Sequence, residues 1–140
     1  MKRYYLDSNI FLRLFVGDSP WMLKECSVLF ENIKKGKISA VTSNVVISEI
    51  VWTLGSFYKF PKTRVITAIK SIMGIPKLEI VDDYVVLVAL EIYESNSVKF
   101  IDSLIASIYE VYSKEWIVIS YDKDFDKLGI IRKEPSQIIR

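Results

Sequence analysis

The run Trp116-Ile117-Val118-Ile119 constrains this chain more than any other stretch. Four large apolar residues in a row, three of them β-branched, do not alternate with polar ones. A strand with one wet face would alternate, so this run predicts a strand covered on both faces. Strands of that kind occur in parallel sheets, with helices on either side. Other short runs fit the same frame: residues 3–7, ending in Asp7; residues 37–42; residues 78–81; and an edge strand at Ile130 and Ile131.

Helices are expected between them. Ser8 or Asn9 caps the first, through about Val16. Pro20 suits the first turn of a second over 21–35, with Leu23, Leu29, Phe30 and Ile33 at helical spacing and Gly36 at its end. Ser43 opens an apolar helix to about Tyr58, which Pro61 breaks, and another runs over 62–73. The stretch Val85-Val86-Leu87-Val88 could pass for strand, but the apolar period continues through Ala89, Leu90, Ile92 and Tyr93. It predicts a buried helix capped by Asp82 or Asp83 and ending near Asn96. A further helix is expected over 101–113, and a short helical turn over 122–128. With no repeat, linker or low-complexity segment, residues 1–140 read as one domain, which suits the length.

Composition removes several chemistries. There is no histidine and one cysteine, Cys26. That excludes Ser-His-Asp and Cys-His catalysis, histidine-based RNA cleavage, an intrachain disulfide and Cys/His zinc sites. The longest apolar run, Tyr84 to Leu90, is far short of the roughly 20 residues that span a bilayer. No leader is visible, so a soluble cytoplasmic protein with no membrane association is expected. A net charge of +2 neither predicts nor excludes a nucleic-acid partner.

What remains for catalysis is carboxylates, Lys, Tyr or a metal. In an open parallel sheet, ligands bind beyond the carboxyl ends of the strands. Asp7 ends the first strand and Asp122 lies just past the last apolar one. Asp102 and Asp122 each have a bland reading as helix N-caps. Glu49 has Val45, Val46, Trp52 and Thr53 as helical neighbours, an apolar face where a lone carboxylate needs a partner, a proton or a cation. Two like charges ~4 Å apart repel by about 4 kcal/mol at an effective dielectric of about 20. A divalent cation reverses that sign, and all-oxygen ligands favour Mg²⁺ or Mn²⁺. Such a cluster suits phosphodiester hydrolysis.

Four segments together resemble the PIN-domain family, in particular its VapC-like toxin ribonucleases. They are Tyr5-Leu6-Asp7-Ser8-Asn9, Ser43 to Glu49, Phe100-Ile101-Asp102-Ser103-Leu104-Ile105-Ala106, and Ser120-Tyr121-Asp122-Lys123-Asp124-Phe125. Each is weak alone; in this order they span essentially the whole chain. Ser103 stands where the family commonly has Ala, and Ser120 where Thr is commoner. The resemblance implies a Rossmann-like three-layer α/β/α sandwich around a short parallel sheet, and Mg²⁺- or Mn²⁺-dependent cleavage of RNA. It implies Asp7, Glu49, Asp102 and Asp122 as catalytic metal ligands, with Asp124 as the alternative fourth. Asn9, Ser43 and Ser120 are implied as supporting polar groups. It also implies a homodimer and an antitoxin partner held around helices such as the one ending in Trp52, Phe57, Tyr58 and Phe60.

Arg13, one turn beyond Asn9, is a candidate for the substrate backbone or for neutralising the acids. The spacing Asp122, Asp124, Asp126 suggests a calcium loop, but Lys127 stands where Gly is needed and Lys133 where Glu is needed. A receiver domain would want an acidic pair after the first strand. The rival readings are a catalytically silent PIN fold that only binds RNA or protein, and a PIN nuclease of RNA processing with no toxin role.

Overall fold

A computed structural model describes residues 2–139. In its sheet the apolar strand β4 (Trp116–Ile119) is buried at every position, as its composition requires. On one side it pairs in parallel with β1 (Arg3–Leu6), and β1 pairs with β2 (Ser39–Thr42). Two short edge strands complete the sheet, β3 (Glu79–Ile80) beside β2 and β5 (Arg132–Lys133) beside β4. The order is β3-β2-β1-β4-β5, all parallel, with helices flanking the sheet as a three-layer α/β/α sandwich. The chain reverses its direction of travel across the sheet between β1 and β4, which places the ligand crevice at their carboxyl ends.

Seven α-helices are found among the described residues: α1 (Ser8–Phe15), α2 (Pro20–Lys34), α3 (Asn44–Trp52), α4 (Lys62–Met73), α5 (Val86–Ser95), α6 (Phe100–Ala106) and α7 (Tyr109–Tyr112). In α2, Pro20 takes the first turn and the buried side chains are Cys26, Leu29, Phe30 and Ile33, a stripe at i, i+3, i+4 and i+7. Cys26 thus takes the place expected for Leu23. The fourth helix has the expected bounds. No helix of the described residues is long and apolar enough to cross a membrane.

The departures have local causes. Asp7, not Ser8 or Asn9, caps α1: its Oδ1 accepts from Ser8 N at 2.8 Å. The helix expected to run to Tyr58 leaves α geometry after Trp52 and widens into a π turn, Thr53–Phe57, which buries Leu54 and leaves Phe57 outside. The helix expected over 101–113 breaks between α6 and α7. Ile108 turns extended (φ −64°, ψ 125°), which seats its side chain in the core. The last strand lies at Arg132–Lys133, two residues beyond Ile130 and Ile131, because Val118 N and Ser120 N donate to Ile131 O and Lys133 O.

The helix expected to be buried, α5, is the largest correction. Only Ala89 of it is buried, while Val85, Val86, Leu87, Leu90 and Tyr93 are exposed. Nor does Asp82 or Asp83 cap it. Val85 is its N-cap residue, and Val85 N donates to Ser107 Oγ at 3.0 Å. Asp82 instead caps α3 from a distance. It accepts from Asn44 N at 2.8 Å, from Asn44 Nδ2 at 2.6 Å and from Tyr84 Oη at 2.7 Å. Ser43, at the N-cap position of α3, makes no capping bond of its own.

That arrangement makes a prediction. Losing a helix cap costs about 1 kcal/mol, so Asp82→Ala should lower the unfolding free energy in urea by about that much. Asp83→Ala, one residue along, should stay within about 0.5 kcal/mol of the parent. Equal effects would remove the distant cap.

Candidate metal centre

Register builds the site. Leu6 pairs with Ile119, and Asp7 N donates to Ile119 O at 3.1 Å, so Asp7 and Ser120 leave the sheet side by side. Ser120 Oγ donates to Asp7 Oδ2 at 2.6 Å. Ser120 Oγ in turn accepts from Asn9 Nδ2 at 3.0 Å and from Asp122 N at 3.0 Å. Asn9 closes the network: its Nδ2 also reaches Asp7 Oδ2 at 3.3 Å, and its Oδ1 accepts from Tyr121 N at 3.2 Å. Asn9 and Ser120 therefore lie where a supporting role would put them.

Glu49 comes from α3 on the other side of α1. Its Oε1 accepts from Ser8 Oγ at 2.5 Å, and its Oε2 faces Lys99 Nζ at 3.5 Å. It is half-buried, not enclosed by an apolar face, because Trp52 points to solvent and only Val46 and Ile50 of α3 are buried. Asp102 is different. It sits within the first turn of α6, where Lys99 holds the N-cap position, so its expected capping role is absent. The residue is 2% exposed, yet Asp102 Oδ2 has no hydrogen-bond partner. Asp122 does cap the 3₁₀ turn Lys123–Leu128, accepting from Asp124 N at 2.9 Å. Capping leaves its second oxygen free. One carboxylate oxygen each from Asp102, Asp122 and Asp124 fall within 4.8 Å of one another.

Burial and mutual repulsion show in the titration of these groups. Burial pushes Asp7 up to about 6, against the bonds from Ser120 and Ser8 that hold it down, and nearby Glu49 adds to the rise. Burial pushes Asp102 up to about 7; Lys99 opposes the shift, and Asp7, Asp122 and Glu49 reinforce it. For Lys99, burial works to lower the pKa, but Glu49, Asp102, Asp7 and Asp122 together hold it above the ordinary lysine value. All four expected acids thus share one electrostatic neighbourhood, with Asp124 joining on the Asp102–Asp122 side.

A buried carboxylate oxygen without a donor carries a desolvation cost that a cation would offset. The donors around it are all oxygens, the chemistry of Mg²⁺ and Mn²⁺. The residues present therefore fit a hard divalent cation, which Asp102, Asp122 and Asp124 could hold.

Two candidates lie apart from the carboxylates. Ser43 Oγ makes a buried hydrogen bond with Tyr5 Oη beneath the site. Arg13 forms an ion pair with Asp18 at 2.7 Å across the α1–α2 turn. Two cations face the acids: Lys127 lies 3.1 Å from Asp124, and Lys99, which sequence reasoning missed, lies 3.5 Å from Glu49. Lys99 stands three residues before Asp102 at a helix N-cap, and nothing local tells that its side chain reaches α3. Ser8, expected as a helix cap, instead holds Glu49 through its hydroxyl.

A sequence model of the PIN domain matches residues 4–131. No curated protein sequence matches the chain significantly. Among solved structures, the chain resembles VapBC2 of Rickettsia felis, bound to a DNA fragment from its promoter. The TM-score is 0.66 at 16% identity, covering 94% of this chain and 98% of that one. PAE2754 of Pyrobaculum aerophilum superposes with a TM-score of 0.71 at 11% identity, covering 99% and 93%. VapC20 of Mycobacterium tuberculosis, a sarcin-ricin loop cleaving toxin, does so at 0.62 with 13% identity, covering 91% and 96%. Identities this low establish a shared fold.

The raised carboxylates set a pH dependence. With folded pKa values near 6 and 7 for Asp7 and Asp102 and unfolded values near ~4, the folded state binds protons more tightly in that window. Their contribution is complete below about pH 4 and is lost as pH rises through about 7. Metal-free protein should therefore melt at a lower temperature at pH 8 than at pH 5.5. Asp102→Asn should raise the melting temperature at pH 8 and flatten the profile. A melting temperature that rises from pH 5.5 to 8 and is unaltered by Asp102→Asn would contradict the electrostatic account.

Proposed function

The chain belongs to the PIN domain family, and on that premise we propose that it is a metal-dependent endoribonuclease, the toxin of a toxin–antitoxin pair. The observation that carries the reading is Asp102 Oδ2, buried without a donor and grouped with Asp122 and Asp124. A structural carboxylate of a silent fold would have a partner. This one is left open toward other acids, which is costly unless a cation arrives.

The roles divide by environment. Asp102, Asp122 and Asp124 hold Mg²⁺ or Mn²⁺. Once bound, the ion supplies an activated water and offsets charge growing on the phosphate oxygens. Asp7 is kept in place by Ser120 and Asn9, so one carboxylate oxygen is fixed relative to Asp122. With its pKa raised to about 6, Asp7 is mainly ionised near neutral pH and suited to accept a proton. Glu49, fixed by Ser8, completes the acidic rim. Lys99 holds positive charge among these groups and opposes their repulsion.

Single-stranded or structured RNA is the proposed substrate, and the cytoplasm the proposed place of action. The toxin role and an antitoxin partner draw support from the VapBC and VapC likenesses. They fit a small single domain with exposed Trp52 and Phe57 at the end of α3 and an exposed apolar α5. A homodimer is proposed on the same surfaces.

The metal-ligand contribution is several kcal/mol, or more than about 100-fold in rate. Asp102→Asn and Asp7→Asn should each reduce RNA cleavage by at least about that factor with unchanged circular dichroism. Excess EDTA should stop the parent, and added Mn²⁺ should restore it; cleavage that persists in EDTA would sink the metal mechanism. Induced expression without a partner should slow growth, and Asp102→Asn should relieve it. Unimpaired growth of the expressing cells would remove the toxin role.

A further inference from the structure

The carboxylates of the site are not equally in need of a cation. Asp7 accepts hydrogen bonds from Ser8 N, Ser120 Oγ and Asn9 Nδ2. Glu49 accepts from Ser8 Oγ and faces the Lys99 ammonium at 3.5 Å. Asp102, by contrast, has an oxygen with no partner, close to Asp122 and Asp124. On the other side Asp122 accepts from Asp124 N at 2.9 Å and Asp124 faces Lys127 at 3.1 Å, so the one buried carboxylate oxygen left without a partner among these acids is Asp102 Oδ2.

Lys99 has the position of a shared counter-ion, since Glu49, Asp102, Asp7 and Asp122 all act on its charge. Formal charge makes the consequence concrete. Fully ionised, Asp7, Glu49, Asp102, Asp122 and Asp124 carry five negative charges. Lys99 on Glu49 and Lys127 on Asp124 supply two positive ones. One divalent cation then leaves a single negative charge, and a second would make the pocket net positive beside an ammonium that repels it. Without Lys99, two divalent cations would balance the acids. A groove of about 560 Å³ lined by Tyr93, Asn96, Ser97, Val98, Lys99 and Asp124 opens on the Lys99 and Asp124 flank of these acids, wide enough for a hydrated ion to approach.

We propose that the Lys99 ammonium holds the place of a second divalent cation, so that the pocket takes one metal ion and not two. This rests on the metal-dependent reading above and specifies how that site is filled. Asp102, Asp122 and Asp124 take the ion, and Lys99 serves the Glu49 and Asp7 side as a tethered monovalent charge. Lys99 is a positioning residue that acts through Glu49. Its side chain is 59% exposed, so replacing it does not empty the core.

The test counts ions rather than turnover. Metal-stripped parent, Lys99→Ala and Lys99→Arg are titrated with Mn²⁺, with the free ion followed by electron paramagnetic resonance and the fold by circular dichroism. The parent and Lys99→Arg should each take one Mn²⁺ per chain, and Lys99→Ala two. Two ions on the parent, or one on Lys99→Ala at whatever affinity, would overturn the assignment of Lys99 while leaving the metal site standing. Folded protein that takes up no Mn²⁺ in any of the three forms would overturn the metal-dependent reading itself, and this inference with it.

Discussion

Between Leu6 and Asp7 on one strand and Ile119 and Ser120 on the other, the parallel ladder does two jobs at once. It pairs the central strand with the fully buried β4, and it delivers Asp7 and Ser120 to the same crevice. Side chains alternate faces along a strand, so a slip of one residue would send Asp7 away from Ser120. Asn9, in the first turn of α1, then spans both chain segments. Even the helix cap is shared, since Asp7 Oδ1 begins α1 while Oδ2 joins the network. Fold and candidate site are thus tied through a few atoms at the switch point of the sheet.

The electrostatics follow from that placement. Parallel strand ends and helix starts crowd acids into a partly dry space, where each carboxylate needs a donor, a proton or a cation. Neutral donors serve Asp7, and an ammonium serves Glu49. Asp102 is left with an oxygen unserved at 2% exposure. An unpartnered group of that kind is an exception in a folded core and calls for a functional cause. The cause we propose is a positive charge that the chain itself does not provide in full.

Much of this was legible in the residues. The run Trp116-Ile117-Val118-Ile119 demanded a covered parallel strand, and β4 is buried throughout. Gly74 and Pro61 bracketed α4 at its observed bounds. Asp7 and Asp122 were placed by their relation to strand ends. Other readings failed where local pattern met tertiary competition. The apolar period of α5 promised burial, but that helix turns Val86, Leu87 and Leu90 outward. The helix expected over 101–113 broke at Ile108, whose burial outweighed helical continuity. Glu49, expected to need a partner, a proton or a cation, has Ser8 and Lys99 beside it, both from other elements of the fold.

By itself the amino-acid sequence determined the class of fold, the alternation of strand and helix, and the set of acids available in a chain without histidine. Those are consequences of periodicity and side-chain type, which act over a few residues. Only the tertiary structure decided how the acids differ from one another. Whether a carboxylate has a donor depends on residues far away in the chain: Ser120 for Asp7, Lys99 for Glu49, and none for Asp102 Oδ2. Hydrogen bonding and desolvation are set by atoms within a few ångströms in space, and neighbours in space are settled by strand register and helix packing.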